Sequence, residues 1–125
     1  MMEIKPNTIL CGDALAVLGT MPSDSVKTCV TSPPYFNLRD YGIEGQIGQE
    51  KTVGEYVGKL VSIFREVRRV MATDGTLWLN LGDSYSGSGK GYAKEGGLQF
   101  TNVGSLIGRR TAADIPAKNL IGIPW

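Results

Sequence analysis

Thr31-Ser32-Pro33-Pro34-Tyr35 places a hydroxyl, two adjacent prolines and an aromatic ring within five consecutive positions. Each proline fixes one φ angle and lacks a backbone N–H, and Pro33 biases Ser32 toward extended backbone. The turn is therefore stiff, and its carbonyls are left as acceptors beside an aromatic. Such a set suits a flat ring bearing an amino group. An exocyclic amine on cytosine or adenine is a poor nucleophile because its lone pair is delocalised into the ring. A side-chain oxygen and a main-chain carbonyl that accept both amine hydrogens favour a more tetrahedral nitrogen, with its lone pair aimed at an electrophilic methyl group. Ser32 Oγ and the Pro33 carbonyl are the candidate pair. Tyr35 is the candidate stacking ring for a base rotated out of its duplex, and Phe36 is a second aromatic for stacking or for the core.

A Pro-Pro-aromatic turn can equally be a rigid surface turn or a polyproline ligand, so its position decides. It follows the β-prone run Val26–Val30, at the carboxyl end of an expected buried strand, where open α/β sheets bind ligands. Upstream, Thr8-Ile9-Leu10-Cys11 reads as a first strand, Gly12-Asp13 as a turn, and Ala14 to Leu18 as a short helix capped by Asp13. Downstream, Thr52 and Glu55 match the S/T-x-x-E capping box and start a helix expected to run to about Ala72. Its apolar positions Tyr56, Val57, Leu60, Val61, Phe64, Val67, Val70 and Met71 recur at threes and fours, whereas Arg65, Arg68 and Arg69 fall on an expected solvated face. Gly75 reads as a stop, and Thr76 to Leu81 as a third strand, apolar on both faces as in a covered sheet. The order βαβαβ predicts an open α/β sheet.

The chain has 125 residues, 42% of them hydrophobic and 20% charged, which fits one domain able to bury a core. A net charge of +1 gives no global field toward DNA or anionic membrane, so any nucleic-acid contact must be local. Cys11 and Cys29 with no histidine offer neither a disulfide scaffold nor a zinc site, and no metal is expected. The cytoplasm is the expected setting, with no membrane segment. Gly87-Ser88-Gly89-Lys90-Gly91 fails as a phosphate loop, since Ser84 and Gly91 stand where Gly and Ser or Thr are needed. Residues 82–113 are expected to form a flexible loop, with Lys90, Arg109 and Arg110 as phosphate candidates. Ala117 to Trp125 reads as a helix start or an extended apolar segment.

Asn7 to Leu15, Val30 to Tyr35 with Leu38 to Gly42, and Gly75 to Tyr85 together resemble the amino-methylating DNA methyltransferases of the cytosine-N4 and adenine-N6 group. The resemblance covers nearly the whole chain. It implies a Rossmann-like, S-adenosylmethionine-dependent methyltransferase fold, present here in part, about half of the open sheet. It also implies double-stranded DNA as partner, a setting in restriction-modification, Ser32, Pro33, Pro34 and Tyr35 as the catalytic motif, and Asp13 as a cofactor-side residue. Serine at the first motif position is the form usual for cytosine-N4 enzymes and aspartate for adenine-N6 enzymes, so cytosine N4 is the expected target and adenine N6 the alternative. The family's Phe-x-Gly-x-Gly cofactor loop does not occur: Phe36, Phe64 and Phe100 precede other residues. Residues 1–125 are thus expected to be the N-terminal catalytic part of a truncated methyltransferase domain, with an inactive fragment as the remaining alternative.

Overall fold

The computed structural model describes residues 5–83, 85–86, 115–116 and 119–125. Their element order is α1 (Ala14–Thr20), β1 (Val26–Thr31), α2 (Val53–Val70) and β2 (Met71–Leu79). The chain divides into two compact units, Met1–Thr31 with Lys59–Asn80, and Ser32–Gly58 with Leu81–Trp125.

The first unit contains a two-stranded parallel sheet, β1 beside β2, joined through α2. Parallel neighbours need a crossover of about a dozen residues or more, which the long helix supplies. β1 occupies the expected β-prone run Val26–Val30 and extends one residue further, to Thr31. β2 differs, because it begins at Met71, five residues before the expected Thr76. It advances from Met71 to Thr76 while β1 advances only from Val26 to Thr28, so the extra residues form an irregularity in the ladder. Gly75 sits there and not at a helix stop. A Cβ on it would lie 2.9 Å from the Ala72 carbonyl oxygen and 3.0 Å from that of Lys27, so the close approach of the two strands requires glycine. Past the strand, Asn80 N donates to the Thr31 carbonyl at 2.9 Å, carrying the ladder to the end of β1.

Leu60, Val67 and Val70 on α2 are buried, and Arg65 and Arg68 are exposed, as the helical spacing requires. Arg69 departs from the expected solvated face. Its guanidinium donates to the Leu18 carbonyl (2.8 Å), the Met21 carbonyl (3.0 Å) and Ser23 Oγ (3.2 Å), and pairs with Glu66. It thereby ties the C-terminal end of α1, where the Leu18 carbonyl also accepts from Met21 N (3.0 Å), to α2.

Two further expectations are corrected. Thr8–Cys11 lies outside any strand, and Ile9 is 94% exposed. Four residues offer few ladder bonds, and without pairing an apolar run has no strand geometry to hold. Among the described residues the sheet is also not covered on both faces, since Val30 and Trp78 are largely exposed. With two strands among the described residues, the α/β class holds, while the wide sheet does not appear in them.

The second unit has its own small core of Phe36, Tyr56 and Ile123, with Glu50 and Ser86 also buried. The capping box forms as the sequence predicts: Glu55 N donates to Thr52 Oγ1 (3.2 Å) and Thr52 N to Glu55 Oε2 (3.3 Å). Asp83 accepts from the backbone N–H groups of Gly122 and Ile123. Tyr85 bridges Leu120 in antiparallel sense, and Ser86 donates to the Asn119 and Ile115 carbonyls. The described start of the expected 82–113 loop is thus tied to residues 115–123. Its remainder, including Lys90, Arg109 and Arg110, lies outside the described residues. No helix appears in 119–125, where Trp125 is fully exposed.

Candidate active site

A pocket of about 250 Å³ is lined by Ser32, Pro33, Pro34, Tyr35, Leu38, Arg39 and Tyr41, all of the second unit. Its size suits one flat ring better than a drug-sized ligand. β1 ends at Thr31, and the next residues leave the ladder because neither proline can donate to it. All four residues of the expected catalytic motif therefore line one pocket.

The motif's carbonyls are not equivalent. The Pro34 carbonyl accepts from the Tyr56 hydroxyl at 2.9 Å, and the Tyr35 carbonyl accepts from Leu38 N at 3.3 Å. Among the described residues no group donates to the Pro33 carbonyl or bonds to Ser32 Oγ. These two are the acceptor pair that the sequence singles out, and Ser32 is exposed.

Tyr56 is 0% exposed, and its ring meets that of Phe36 at 5.3 Å with a 45° tilt. Burial first, then the nearby charge of Glu50 and the neighbouring Tyr35, push its phenol up from 10.0 to about 12. The hydroxyl is therefore a proton donor at any physiological pH. The Glu50 carboxylate accepts from Gly48 N at 2.8 Å, and the Gly48 carbonyl accepts from Asn37 N at 2.8 Å. Gly48 has φ +98°, and a Cβ on it would fall 2.8 Å from the Tyr35 carbonyl oxygen, so only glycine allows this approach. Gly82 lies close to the aromatic ring: a Cβ there would be 3.0 Å from Tyr35 Cε2, so the ring would have to give by a few tenths of an ångström. One glycine and one phenol thus hold the Pro-Pro-Tyr segment.

Phe36 takes the core role of its two expected ones. It is 6% exposed and stands apart from the pocket lining, so the substrate-stacking expectation does not fit its position. Asp13 belongs to the first unit, where its Oδ1 accepts from Ala16 N at 3.0 Å as the N-cap of α1. Gly12 precedes it with φ +157°, and a Cβ there would meet Val17 Cγ2 at 2.9 Å. An exposed carboxylate with one oxygen in the cap keeps the other for hydroxyl or ammonium donors, which fits the polar end of S-adenosylmethionine. Sequence reasoning missed Tyr56, Arg39 and Tyr41 as site residues. The signal for Tyr56 was a phenol on an apolar helical stripe, whose hydroxyl must find a partner when buried. Among the described residues no cluster of His, Cys, Asp and Glu could hold a metal, and no helix is long and apolar enough to cross a membrane.

The sequence profile of the N6/N4 DNA methylases matches residues 26–119. The chain belongs to this DNA methylase family, whose members use S-adenosylmethionine and have a Rossmann-like fold. It is 47% identical over 124 residues to the type II methyltransferase M.XycI of Xanthomonas campestris pv. cyanopsidis, covering 98% of this chain and 40% of that protein. It is 44% identical over 126 residues to M.Cfr9I of Citrobacter freundii, covering 99% of this chain and 41% of the relative. With M.SfiI of Streptomyces fimbriatus the identity is 57% over 74 residues, 59% of this chain and 18% of the relative. The chain spans about 40% of the length of the first two relatives. No solved structure matches it.

Proposed function

We propose that this chain carries the amine-binding and catalytic wall of a type II DNA methyltransferase that methylates the exocyclic N4 amine of cytosine, in double-stranded DNA, within restriction-modification. The observation that carries the reading is the division of acceptors along the motif. Tyr56 and Leu38 occupy the Pro34 and Tyr35 carbonyls, and Ser32 Oγ with the Pro33 carbonyl remains for the two hydrogens of an amine. The DNA methylase family supports the DNA substrate, and the names of the relatives support the type II assignment.

In this reading the flipped base stacks on Tyr35, which Gly82 approaches closely. Ser32 Oγ and the Pro33 carbonyl accept its amine hydrogens and turn the nitrogen lone pair out of the ring plane. The chemistry supplied by S-adenosylmethionine, when bound, is an electrophilic methyl group, and Asp13 is the residue of this chain offered to its polar end. After transfer the nitrogen carries one proton too many, and the exposed Ser32 hydroxyl passes it to water. No thiol nucleophile is needed, which agrees with Cys29 lying within β1. Serine at the first motif position supports cytosine over adenine.

Mass spectrometry of nucleosides from DNA exposed to the protein and S-adenosylmethionine tests the reading. N4-methylcytosine is expected. N6-methyladenine alone would reassign the base, and no methylated amine in the presence of bound cofactor would remove the activity.

A further inference from the structure

The rest of the pocket lining, Leu38, Arg39 and Tyr41, has no role in the amine chemistry, yet its backbone is held by side-chain bonds. Gln46 spans it, donating Nε2 to the Arg39 carbonyl (2.9 Å) and accepting from Tyr41 N at Oε1 (2.7 Å). Gln49 Nε2 donates to the same Arg39 carbonyl at 3.0 Å. Asp40 turns its Oδ1 onto Gly42 N at 2.8 Å, so one oxygen of the neighbouring carboxylate is engaged within its own turn. Gly42 and Gly45 take positive φ, 69° and 75°, which lets the chain double back so that Gln46 reaches residues 39 and 41.

Three side-chain bonds thus fix the backbone on both sides of Asp40, and the Arg39 guanidinium makes none of them. Arg39 is exposed at the pocket, and no described group accepts from its side chain. Tyr41 and Leu38 flank it, 52% and 39% exposed. A base that enters this pocket brings its own sugar and phosphate to the mouth. The chain's net charge of +1 supplies no general attraction for that phosphate, so the attraction must come from a placed cation.

We propose that Arg39, which lines the pocket and whose backbone carbonyl is held by Gln46 and Gln49, contacts the DNA phosphate that flanks the base entering the pocket. The contact rests on the DNA methyltransferase reading for its ligand but involves neither the amine nor the cofactor. Arg39 sets affinity and register and carries no base information, as phosphate contacts do.

The test is DNA binding as a function of salt, using a duplex with a cytosine opposite an abasic site so that little energy goes into extrusion. Arg39→Gln is expected to weaken binding about two- to fivefold near physiological salt. It should also lower the slope of log K against log salt by about 0.9, the loss of one phosphate contact. The carbonyl, not the guanidinium, receives the two glutamines, so the substitution leaves the arm in place. Arg39→Lys should restore the slope. Arg65→Gln, the same charge change on the exposed face of α2, should leave slope and affinity unchanged. An unaltered slope in Arg39→Gln, an equal drop in Arg65→Gln, or absence of DNA binding by the wild type would each overturn the proposal. A slope change without any methyl transfer by the wild type would support the phosphate contact and count against the methyltransferase reading instead.

Discussion

The β1–β2 pair and the Ser32–Glu50 segment are held by different physics. The strands are joined by a backbone ladder with one irregularity near its start, and the apolar side chains Val30 and Trp78 lie largely exposed on it. The segment has no regular ladder at all. It is fixed by individual bonds, Tyr56 to Pro34, Asn37 to Gly48, Gly48 to Glu50 and Gln46 to Arg39 and Tyr41, and by one glycine that no other residue can replace without a clash. Away from Gly75 a ladder tolerates side-chain change because its bonds are between backbones. A set of single bonds does not, because each donor has one acceptor. Single bonds engage carbonyls one at a time, which suits a site that leaves the Pro33 carbonyl open while its neighbours Pro34 and Tyr35 are engaged.

The largest effect expected from this contrast is at Gly48. Gly48→Ala forces a side chain into a left-handed backbone and against the Tyr35 carbonyl, and should cost about 2–3 kcal/mol in urea unfolding. Gly58→Ala, on α2 with nothing within 4 Å of its Cβ position, should instead stabilise by about 1 kcal/mol. If the two substitutions behave alike, the segment is not clasped as described.

Tyr56→Phe comes next. It leaves the Pro34 carbonyl without its donor at a cost of about 1–2 kcal/mol. It also has a pH signature. The native phenol titrates near 12 and the unfolded one near 10.0, so between these values the unfolded chain releases a proton that the native chain keeps. Stability from this group is complete below pH 10 and declines as pH rises toward 12. Unfolding followed from pH 9 to 12 should show that decline in the wild type and a shallower one in Tyr56→Phe. Equal slopes would mean the hydroxyl is not held as the structure has it.

The smallest effect belongs to the strands. Lys27 and Asp74 form an ion pair, but both side chains are 72% exposed. Asp74→Asn should change stability by less than about 0.5 kcal/mol, and by less still in high salt. A loss comparable to that of Tyr56→Phe would erase the distinction between the two regions.

The same contrast explains what could be read in advance. β1, the capping box at Thr52 and Glu55, and the motif's position after a strand are local patterns, and the structure reproduces them. Thr8–Cys11 has the composition of a strand, but pairing is a long-range property that composition does not supply. Arg69 looked solvated because its acceptors, the Leu18 and Met21 carbonyls, lie about fifty positions away in the chain. Tyr56 was legible as a core residue but not as the group that engages Pro34, 22 positions earlier. Arg39 and Tyr41 belonged to the motif resemblance, but their place in the pocket depends on a glutamine that only the folded loop brings back to them.

The central claim is that Ser32 acts on the amine and not on the fold. Single-turnover methyl transfer by Ser32→Ala, measured beside S-adenosylmethionine and DNA affinities, tests it most directly. The expected result is a transfer rate lower by about 10²-fold, the scale for losing one preorganised polar contact, with both affinities nearly unchanged. A rate close to wild type, or a parallel loss of cofactor binding, would contradict it.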